Sequence, residues 1–289
     1  MSLLREGTWC AMCALVVFAS HVAAGPYPAV ANRPSFIAVG DGLTESAFSS
    51  EHMGWGLLLQ QKYVRKADII NRGYGGFFTS WFTDYMLGSL FNVGNPTLGI
   101  LFLGVKDSLT PAVSGSHYIS AQQFGVNVQR IMDAGKKAGI AKFLIITPPP
   151  VCEACKGSSP KPWDRENSHT TQYVQQLQQL ASRNGAAFLD IFNAWQADPN
   201  WHNKLLLPDK LHLSPYGNEV LFNAIVKTLE SKFPELAPSG QALNWPLMDV
   251  ISKDDPAAAF NKVVMNPSRV AGGCGSTSVK RWNQGRSRA

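Results

Sequence analysis

The sequence is poor in charged residues, in cysteine and in long apolar runs. Charged residues make up 16% of the 289 residues and hydrophobic residues 45%, which is typical of a globular core and not of a disordered or coiled chain. The one apolar run at the N-terminus is too short to span a bilayer comfortably, and no other segment is long and apolar enough to be transmembrane. The formal net charge is +6, and much of the excess lies after residue 279. No basic stripe with interleaved aromatic residues occurs in the body, so we expect no nucleic-acid partner.

The N-terminus carries the features of a secretory signal peptide. Arg5 precedes an apolar run over 11–19, and small residues at 22–24 suit cleavage. We therefore predict a signal peptide over 1–24 and a protein that is secreted or lies in the lumen of the secretory pathway. An uncleaved N-terminal anchor and a mitochondrial presequence are the alternatives, and Glu6 argues against the presequence.

Cysteine is scarce, with five in the chain. Cys10 and Cys13 would leave with the signal peptide. Cys152 and Cys155 follow three prolines in a predicted loop, where an oxidising compartment favours a local disulfide. Cys274 would be free or paired elsewhere. Because neither a second cysteine pair nor a histidine lies nearby in sequence, we expect no metal site.

Short apolar segments alternate with helical patterns along the body of the chain. Strands are predicted over 36–39, 68–71, 98–103, 142–146 and 187–191, and the main helices over 54–64, 120–138, 167–182 and 214–233. This alternation predicts an α/β/α sandwich, a flavodoxin-like five-stranded parallel sheet between two helical layers. Ligands of such sheets bind at the edge where the strands end.

Four segments at these strand ends carry the candidate chemistry. The first, 40–43, is Gly-Asp-Gly-Leu, and 71–76 is Asn-Arg-Gly-Tyr-Gly-Gly. Segment 104–107 is Gly-Val-Lys-Asp, and 209–218 begins Asp-Lys-Leu-His and continues Leu-Ser-Pro-Tyr-Gly-Asn. In this order and spacing they resemble the SGNH (GDSL-type) hydrolases, and most closely the isoamyl-acetate-hydrolysing esterase branch. The resemblance runs from about residue 34 to residue 236.

The resemblance implies a serine esterase site with two departures. Gly42 stands where the family has its nucleophilic serine, and Lys106 stands where it has the asparagine that donates to the oxyanion. Gly42 and Gly76 would still offer backbone N–H groups to the oxyanion. Asp209 would orient His212, which would face position 42. Ser46 and Thr44 are close in sequence, but neither occupies the turn position that aims a hydroxyl at the histidine.

These residues predict a pseudo-hydrolase that binds a small ester, acyl or carboxylate ligand. We expect Asp41, Phe77, Phe78 and Trp81 to contribute to binding, and the Lys106 ammonium to enter the crevice near His212. The alternatives are an ester hydrolase in which His212 and Asp209 activate water, and a secreted interaction module whose aromatic residues hold a protein partner. The family resemblance implies no metal or organic cofactor.

Domain boundaries follow from the same pattern. We predict one hydrolase-like domain over 33–236 and an extension over 237–266 that packs back on it. From 267 to 289 we expect a disordered basic tail, because the segment has no hydrophobic periodicity.

Overall fold

The computed structural model describes residues 33–155 and 165–259. The predicted signal peptide at 1–24, the basic tail at 267–289 and the last residues of the extension lie outside the described residues. Within these two ranges no helix combines the length and the apolar character that crossing a bilayer requires.

The centre of the fold is the predicted five-stranded parallel sheet. Its order is β2-β1-β3-β4-β5, and each neighbouring pair runs parallel. Every residue of β1 is buried, because helices cover both faces of the sheet. The α/β/α fold class is therefore confirmed. The strands are β1 (Ser35–Gly40), β2 (Asp68–Gly73), β3 (Pro96–Phe102), β4 (Lys142–Ile146) and β5 (Ala187–Leu189).

Helices form the two outer layers. Alternate residues of β1 separate between them: Phe36 and Ala38 pack into one apolar cluster, and Ile37 and Val39 into the other. The first cluster includes α2 and α9, and the second includes α5 and α6. The helices are α1 (Gly42–Glu45), α2 (Trp55–Lys62), α3 (Thr79–Trp81), α4 (Pro111–Ser114), α5 (Ala121–Lys137), α6 (Asn167–Asn184), α7 (Ile191–Gln196), α8 (Trp201–Lys204) and α9 (Pro215–Lys232).

Strand β5 is shorter than its apolar sequence predicts. The strand ends at Leu189, because the Asp190 side chain accepts a hydrogen bond from Asn193 N at 3.0 Å and so caps α7. Ile191 is consequently the first residue of a helix. An apolar residue after a strand does not by itself reveal this change, whereas the aspartate at the cap position does.

The segment after residue 236 lies against the connection between α2 and β2. Asn244 N donates to Arg65 O at 2.9 Å, and the Arg65 guanidinium donates to Trp245 O and Pro246 O at 2.8 and 2.7 Å. Lys66 Nζ donates to Pro238 O at 2.6 Å. These bonds fix residues 237–246 against the connection between α2 and β2.

Candidate active site

The carboxyl ends of β1, β2 and β3 bring the first three sequence segments to one edge of the sheet. The fourth segment lies between α8 and α9. Gly217 allows this approach, because a Cβ there would lie 2.0 Å from Leu205 O. Ser214 starts α9 by accepting from Gly217 N at 3.0 Å, and its own N donates to Leu205 O at 2.9 Å.

Asn218 joins this last segment to the rest of the site. Its Oδ1 accepts from Trp55 N at 3.1 Å, and its Nδ2 donates to His52 O at 3.0 Å and Leu213 O at 3.3 Å. Asn218 is 4% exposed, so these bonds are shielded from water. The side chain therefore connects the start of α2 to the loop that carries His212.

Asp41 connects the first segment to the third. Its Oδ1 accepts from Leu43 N at 3.3 Å, and its Oδ2 accepts from Val105 N at 3.0 Å and Lys106 N at 3.4 Å. Burial raises the pKa of Asp41 to about 6, against the opposing effect of these hydrogen bonds and of the Arg165 guanidinium. With 2% exposure and both oxygens bonded to backbone, Asp41 does not face a ligand, which corrects the expectation that it contributes to binding.

Gly42 begins α1 directly opposite the histidine. A Cβ built on Gly42 would lie 4.0 Å from His212 Nε2 and 3.8 Å from Gly75 Cα, so a small side chain would meet no clash. The nearby hydroxyls point elsewhere. Thr44 Oγ1 bonds Phe102 O at 3.4 Å, and Ser46 Oγ bonds Leu43 O at 3.5 Å. Neither replaces the missing hydroxyl in front of His212.

Asp209 and His212 form a pair of fixed orientation. His212 Nδ1 lies 2.6 Å from Asp209 Oδ2, and the other carboxylate oxygen accepts from His212 N at 3.0 Å and Leu211 N at 2.9 Å. Burial opposes the charge on Asp209, but these hydrogen bonds prevail and hold the pKa of that carboxyl below its usual range. The bond at Nδ1 leaves Nε2 directed to position 42.

The backbone N–H groups of Gly42 and Gly76 lie in the segments that follow β1 and β2 at this edge of the sheet. Gly42 is the first residue of α1 and has no acceptor within that helix. Gly76 has a φ of +79°, a left-handed conformation that glycine adopts without strain. Across 33–155 and 165–259, no hydrogen bond from either N–H group is present. Glu45 Oε2 fixes the facing turn by accepting from Gly75 N at 2.6 Å.

Lys106 lies beside an aromatic ring and makes no ion pair with Asp209 among the described residues. Its Nζ lies over the Phe78 ring, 5.2 Å from the centroid, where the ring face attracts a cation. In the part of the chain that the structure describes, the ion pair of Asp209 is with His212 alone. The expectation that the Lys106 ammonium enters the crevice near His212 stays a prediction, and the Phe78 ring offers the ammonium another partner.

The aromatic residues at this edge form a connected group. Phe77 and Phe78 both contact Trp81, with ring centroids 5.1 and 5.4 Å apart, and His117 stacks on Phe78 at 5.8 Å. Phe78 is 4% exposed and belongs to the core, whereas Phe77 and Trp81 are partly exposed. Phe77 and Trp81 thus have ring surface exposed to solvent, whereas Phe78 contacts Lys106.

A second buried carboxylate, Asp107, lies behind Lys106. Its Oδ1 accepts from Thr79 N and Thr79 Oγ1 at 2.9 and 2.7 Å, and Asn127 Nδ2 donates to the same hydroxyl at 3.0 Å. Burial raises the pKa of Asp107 to about 7, and the charge of Asp41 adds to the effect. Its Oδ2 has no partner within the described residues. Asp107 therefore joins the third segment to α3 and α5.

Sequence reasoning assigned no site role to Glu45, Thr79 and Arg165. Arg165 is 3% exposed, and its charge helps keep Asp41 ionised. A charged residue at the start of a helix normally faces water, so the burial of Arg165 is not predictable from the sequence. Glu45 and Thr79 became informative only once their backbone and side-chain partners were placed.

Comparisons with known proteins find related sequences along most of the chain. The model of the GDSL-like lipase/acylhydrolase family matches residues 38–220. A GDSL esterase/lipase of Arabidopsis thaliana is 30% identical over 244 residues, which cover 80% of this chain and 98% of the relative. An isoamyl acetate-hydrolyzing esterase 1 homolog of Homo sapiens is 31% identical over 219 residues, covering 70% and 84%.

Solved structures of other proteins share this fold. The lipase/acylhydrolase of Enterococcus faecalis superimposes with a TM-score of 0.57 at 18% identity, covering 69% of this chain and 96% of that one. An acetyl xylan esterase superimposes with a TM-score of 0.56 at 22% identity, covering 68% and 99%. At these identities the likeness concerns the fold alone.

Proposed function

The chain belongs to the GDSL-like lipase/acylhydrolase family, and from that premise we propose that it is a pseudo-hydrolase, which binds a small ester, acyl or carboxylate ligand but has lost acyl-enzyme catalysis. One observation carries the proposal. His212 Nε2 faces Gly42, a residue without a side-chain oxygen, so the general base has no nucleophile to activate.

The acyl-transfer route needs an oxygen within about 2.6–3.2 Å of the base. The nearest hydroxyls in sequence, on Thr44 and Ser46, are bonded to backbone carbonyls instead. The side-chain donor to the oxyanion is a second missing group. Lys106 does not supply it, since its ammonium lies on Phe78 and is not a neutral amide. Both steps that the serine mechanism depends on, attack and charge stabilisation, are weakened.

The ligand class follows from what remains. The N–H groups of Gly42 and Gly76 can donate to a carbonyl or carboxylate oxygen, and a protonated His212 would strengthen the binding of an anion. Phe77 and Trp81 offer apolar surface for a short acyl chain. Acetate and hexanoate are suitable probes, with hexanoate expected to bind more tightly because its chain reaches the rings. Chemical-shift changes at Gly42, Gly76 and His212 would support this site, and their absence at millimolar hexanoate would contradict it.

A second candidate function is slow ester hydrolysis through water. The observation that favours it is the 2.6 Å contact between Asp209 Oδ2 and His212 Nδ1, which leaves Nε2 free to accept a proton from water in front of Gly42. Such a site would need no covalent intermediate. Its rate would depend on His212 and Asp209 alike.

Hydrolysis of 4-nitrophenyl acetate by the full chain separates the two candidates. The test compares wild type with His212→Ala and with His52→Ala, a control for the reaction of any imidazole with this ester. Equal rates in the three proteins support the pseudo-hydrolase. A rate lost in His212→Ala and kept in His52→Ala would establish the water route and exclude the first proposal.

Secretion is part of the proposal and is supported by the sequence of residues 1–24 and by the Cys152–Cys155 disulfide. Mass spectrometry of protein from a secreting host is expected to place the mature N-terminus near residue 25. A full-length N-terminus on protein retained in the cell would contradict it. Binding of a protein partner remains the alternative for the aromatic group, and its partly exposed members, Phe77 and Trp81, together with the exposed His117, could serve it.

A further inference from the structure

Two cysteines and one histidine converge on the turn that follows β4. Cys152 and Cys155 form the predicted disulfide, with their Cα atoms 5.3 Å apart. His202 lies on α8, distant in sequence, yet its ring reaches this pair. The two Sγ atoms and one ring nitrogen of His202 all lie within 4.8 Å of one another.

Cys152 is packed into the core, whereas Cys155 and His202 are partly exposed and Lys210 lies near His202. Cys152 is 4% exposed and Trp201, the residue before His202, is 7% exposed, and both belong to the same core cluster. The Trp201 and His202 rings meet edge to face at 5.8 Å. Two sulfurs and an imidazole are a donor set that suits Zn²⁺ or another soft divalent cation.

We propose that reduction of the Cys152–Cys155 disulfide opens a Zn²⁺ site formed by the two thiolates and His202. While the disulfide is intact, its sulfurs are bonded to each other and do not ligate. A dithiol reductant transfers two electrons to the S–S bond, which breaks to give two thiols, and the reductant becomes a disulfide. Zn²⁺ then displaces both thiol protons to solvent. This site is independent of the proposed function at Gly42 and His212.

The ligand spacing fits tetrahedral zinc. With Zn–S near 2.3 Å and Zn–N near 2.0–2.1 Å, tetrahedral ligand atoms lie about 3.3–3.8 Å apart. The three donor atoms already lie within 4.8 Å. Freed sulfurs can separate by rotation about the Cα–Cβ bonds of two cysteines whose backbones stay in place. Three protein ligands leave the fourth position to water or an external ligand.

The turn keeps its shape without the disulfide. Asn167 Nδ2 donates to Val151 O and its Oδ1 accepts from Val151 N, both at 2.8 Å. Glu153 Oε1 accepts from Asn167 N at 2.7 Å, and Cys155 N donates to Cys152 O at 3.0 Å. Since none of these bonds uses a sulfur, both thiols remain presented towards His202 after reduction. Bound metal would then link the turn after β4 to α8.

The test uses Co²⁺ as a spectroscopic substitute for Zn²⁺. The full chain carries Cys10→Ser, Cys13→Ser and Cys274→Ser, so that the remaining thiols are those of the proposed site. After anaerobic reduction and removal of the reductant, we expect one equivalent of Co²⁺ to bind, with a sulfur-to-cobalt charge-transfer band and the strong visible bands of tetrahedral cobalt. One equivalent of Zn²⁺ should remove them.

Two variants locate the ligands. His202→Ala should weaken Co²⁺ binding at least tenfold, since even the loss of an outer-shell partner costs about 10–100-fold. His117→Ala is the matched control, because His117 contacts Phe78 and Trp81 in the other core cluster, and it should leave binding unchanged. The oxidised protein should give no charge-transfer band. Absence of the band after reduction, or equal affinity in His202→Ala and His117→Ala, would overturn the proposal.

Discussion

Gly42→Ser should create ester hydrolysis in this chain. The substituted Cβ would lie 4.0 Å from His212 Nε2, and the hydroxyl, one bond further, can reach hydrogen-bond distance. The nearest backbone atom, Gly75 Cα, would be 3.8 Å away, an ordinary contact. Gly42 is not among the residues of positive φ, so a side chain there introduces no backbone strain. Asp209 already orients the base.

The size of the gain follows from two opposing factors. Removing the nucleophile of a serine triad costs about 10⁶-fold in turnover. Removing one side-chain donor from the oxyanion hole costs about 10²–10³-fold, and Lys106 leaves that donor missing. The background hydrolysis of the wild type does not use the oxyanion donor, so its absence slows only the serine route, and Gly42→Ser should exceed wild type by about 10³–10⁴-fold, or roughly 4–5.5 kcal/mol of barrier.

Two control variants in a 4-nitrophenyl acetate assay and one mass measurement test whether the added hydroxyl causes the gain in rate. Gly42→Ala adds the Cβ without the oxygen and should stay at the wild-type rate. The double variant Gly42→Ser with His212→Ala should return to that rate. Mass spectrometry of the quenched active variant should find an acetyl adduct at position 42, as covalent catalysis requires. A folded Gly42→Ser protein no faster than Gly42→Ala would refute the placement of Nε2.

Three further substitutions test the surroundings of the site. In the Gly42→Ser background, Lys106→Asn should raise turnover about 10²-fold or more with little change in KM, since it restores an amide N–H that donates to the oxyanion in the transition state. An unchanged rate would exclude position 106 from the oxyanion site. Because burial raises the pKa of Asp107, the folded state holds the Asp107 proton more tightly than the unfolded state, and the free energy of unfolding should fall as the pH rises from about 4 to about 7. Denaturant titrations should find that Asp107→Asn reduces this dependence of stability on pH by at most about 1.4 kcal/mol per pH unit; the same dependence in both proteins would contradict the raised pKa. Asn218→Ala leaves Trp55 N buried without its acceptor, so unfolding should need about 1–3 kcal/mol less and Tm should drop by several degrees; an unchanged Tm would show that the loop is held by other contacts.

The sheet was predictable because its signal is local. A strand such as β1 is apolar at nearly every position, and only a strand covered on both faces has that pattern. The end of β5 was harder to place, because Ile191 is as apolar as a strand residue and the helix begins through the Asp190 cap. Periodicity identifies the elements, and side-chain hydrogen bonds set where they end.

The site was predictable only where its members share a segment. Asp209 and His212 are three residues apart, so their contact follows from the loop that holds both. The position of Lys106 depends on Phe78, which comes from another strand end, and the sequence does not state which partner the flexible side chain selects. His202 is the clearest case, since its proximity to Cys152 and Cys155 exists only after the chain has folded.

His212→Ala can be interpreted as a chemical test because the His212 loop does not depend on the ion pair. His212 and Asp209 side chains are 42% and 44% exposed, and pairs so accessible to water contribute little to stability. The loop is fixed by other bonds: Leu207 N donates to His212 O at 2.8 Å, and Asn218 donates to Leu213 O at 3.3 Å. Removing the imidazole should therefore leave the crevice in place, and any loss of ester turnover in that variant would reflect the chemistry of Nε2.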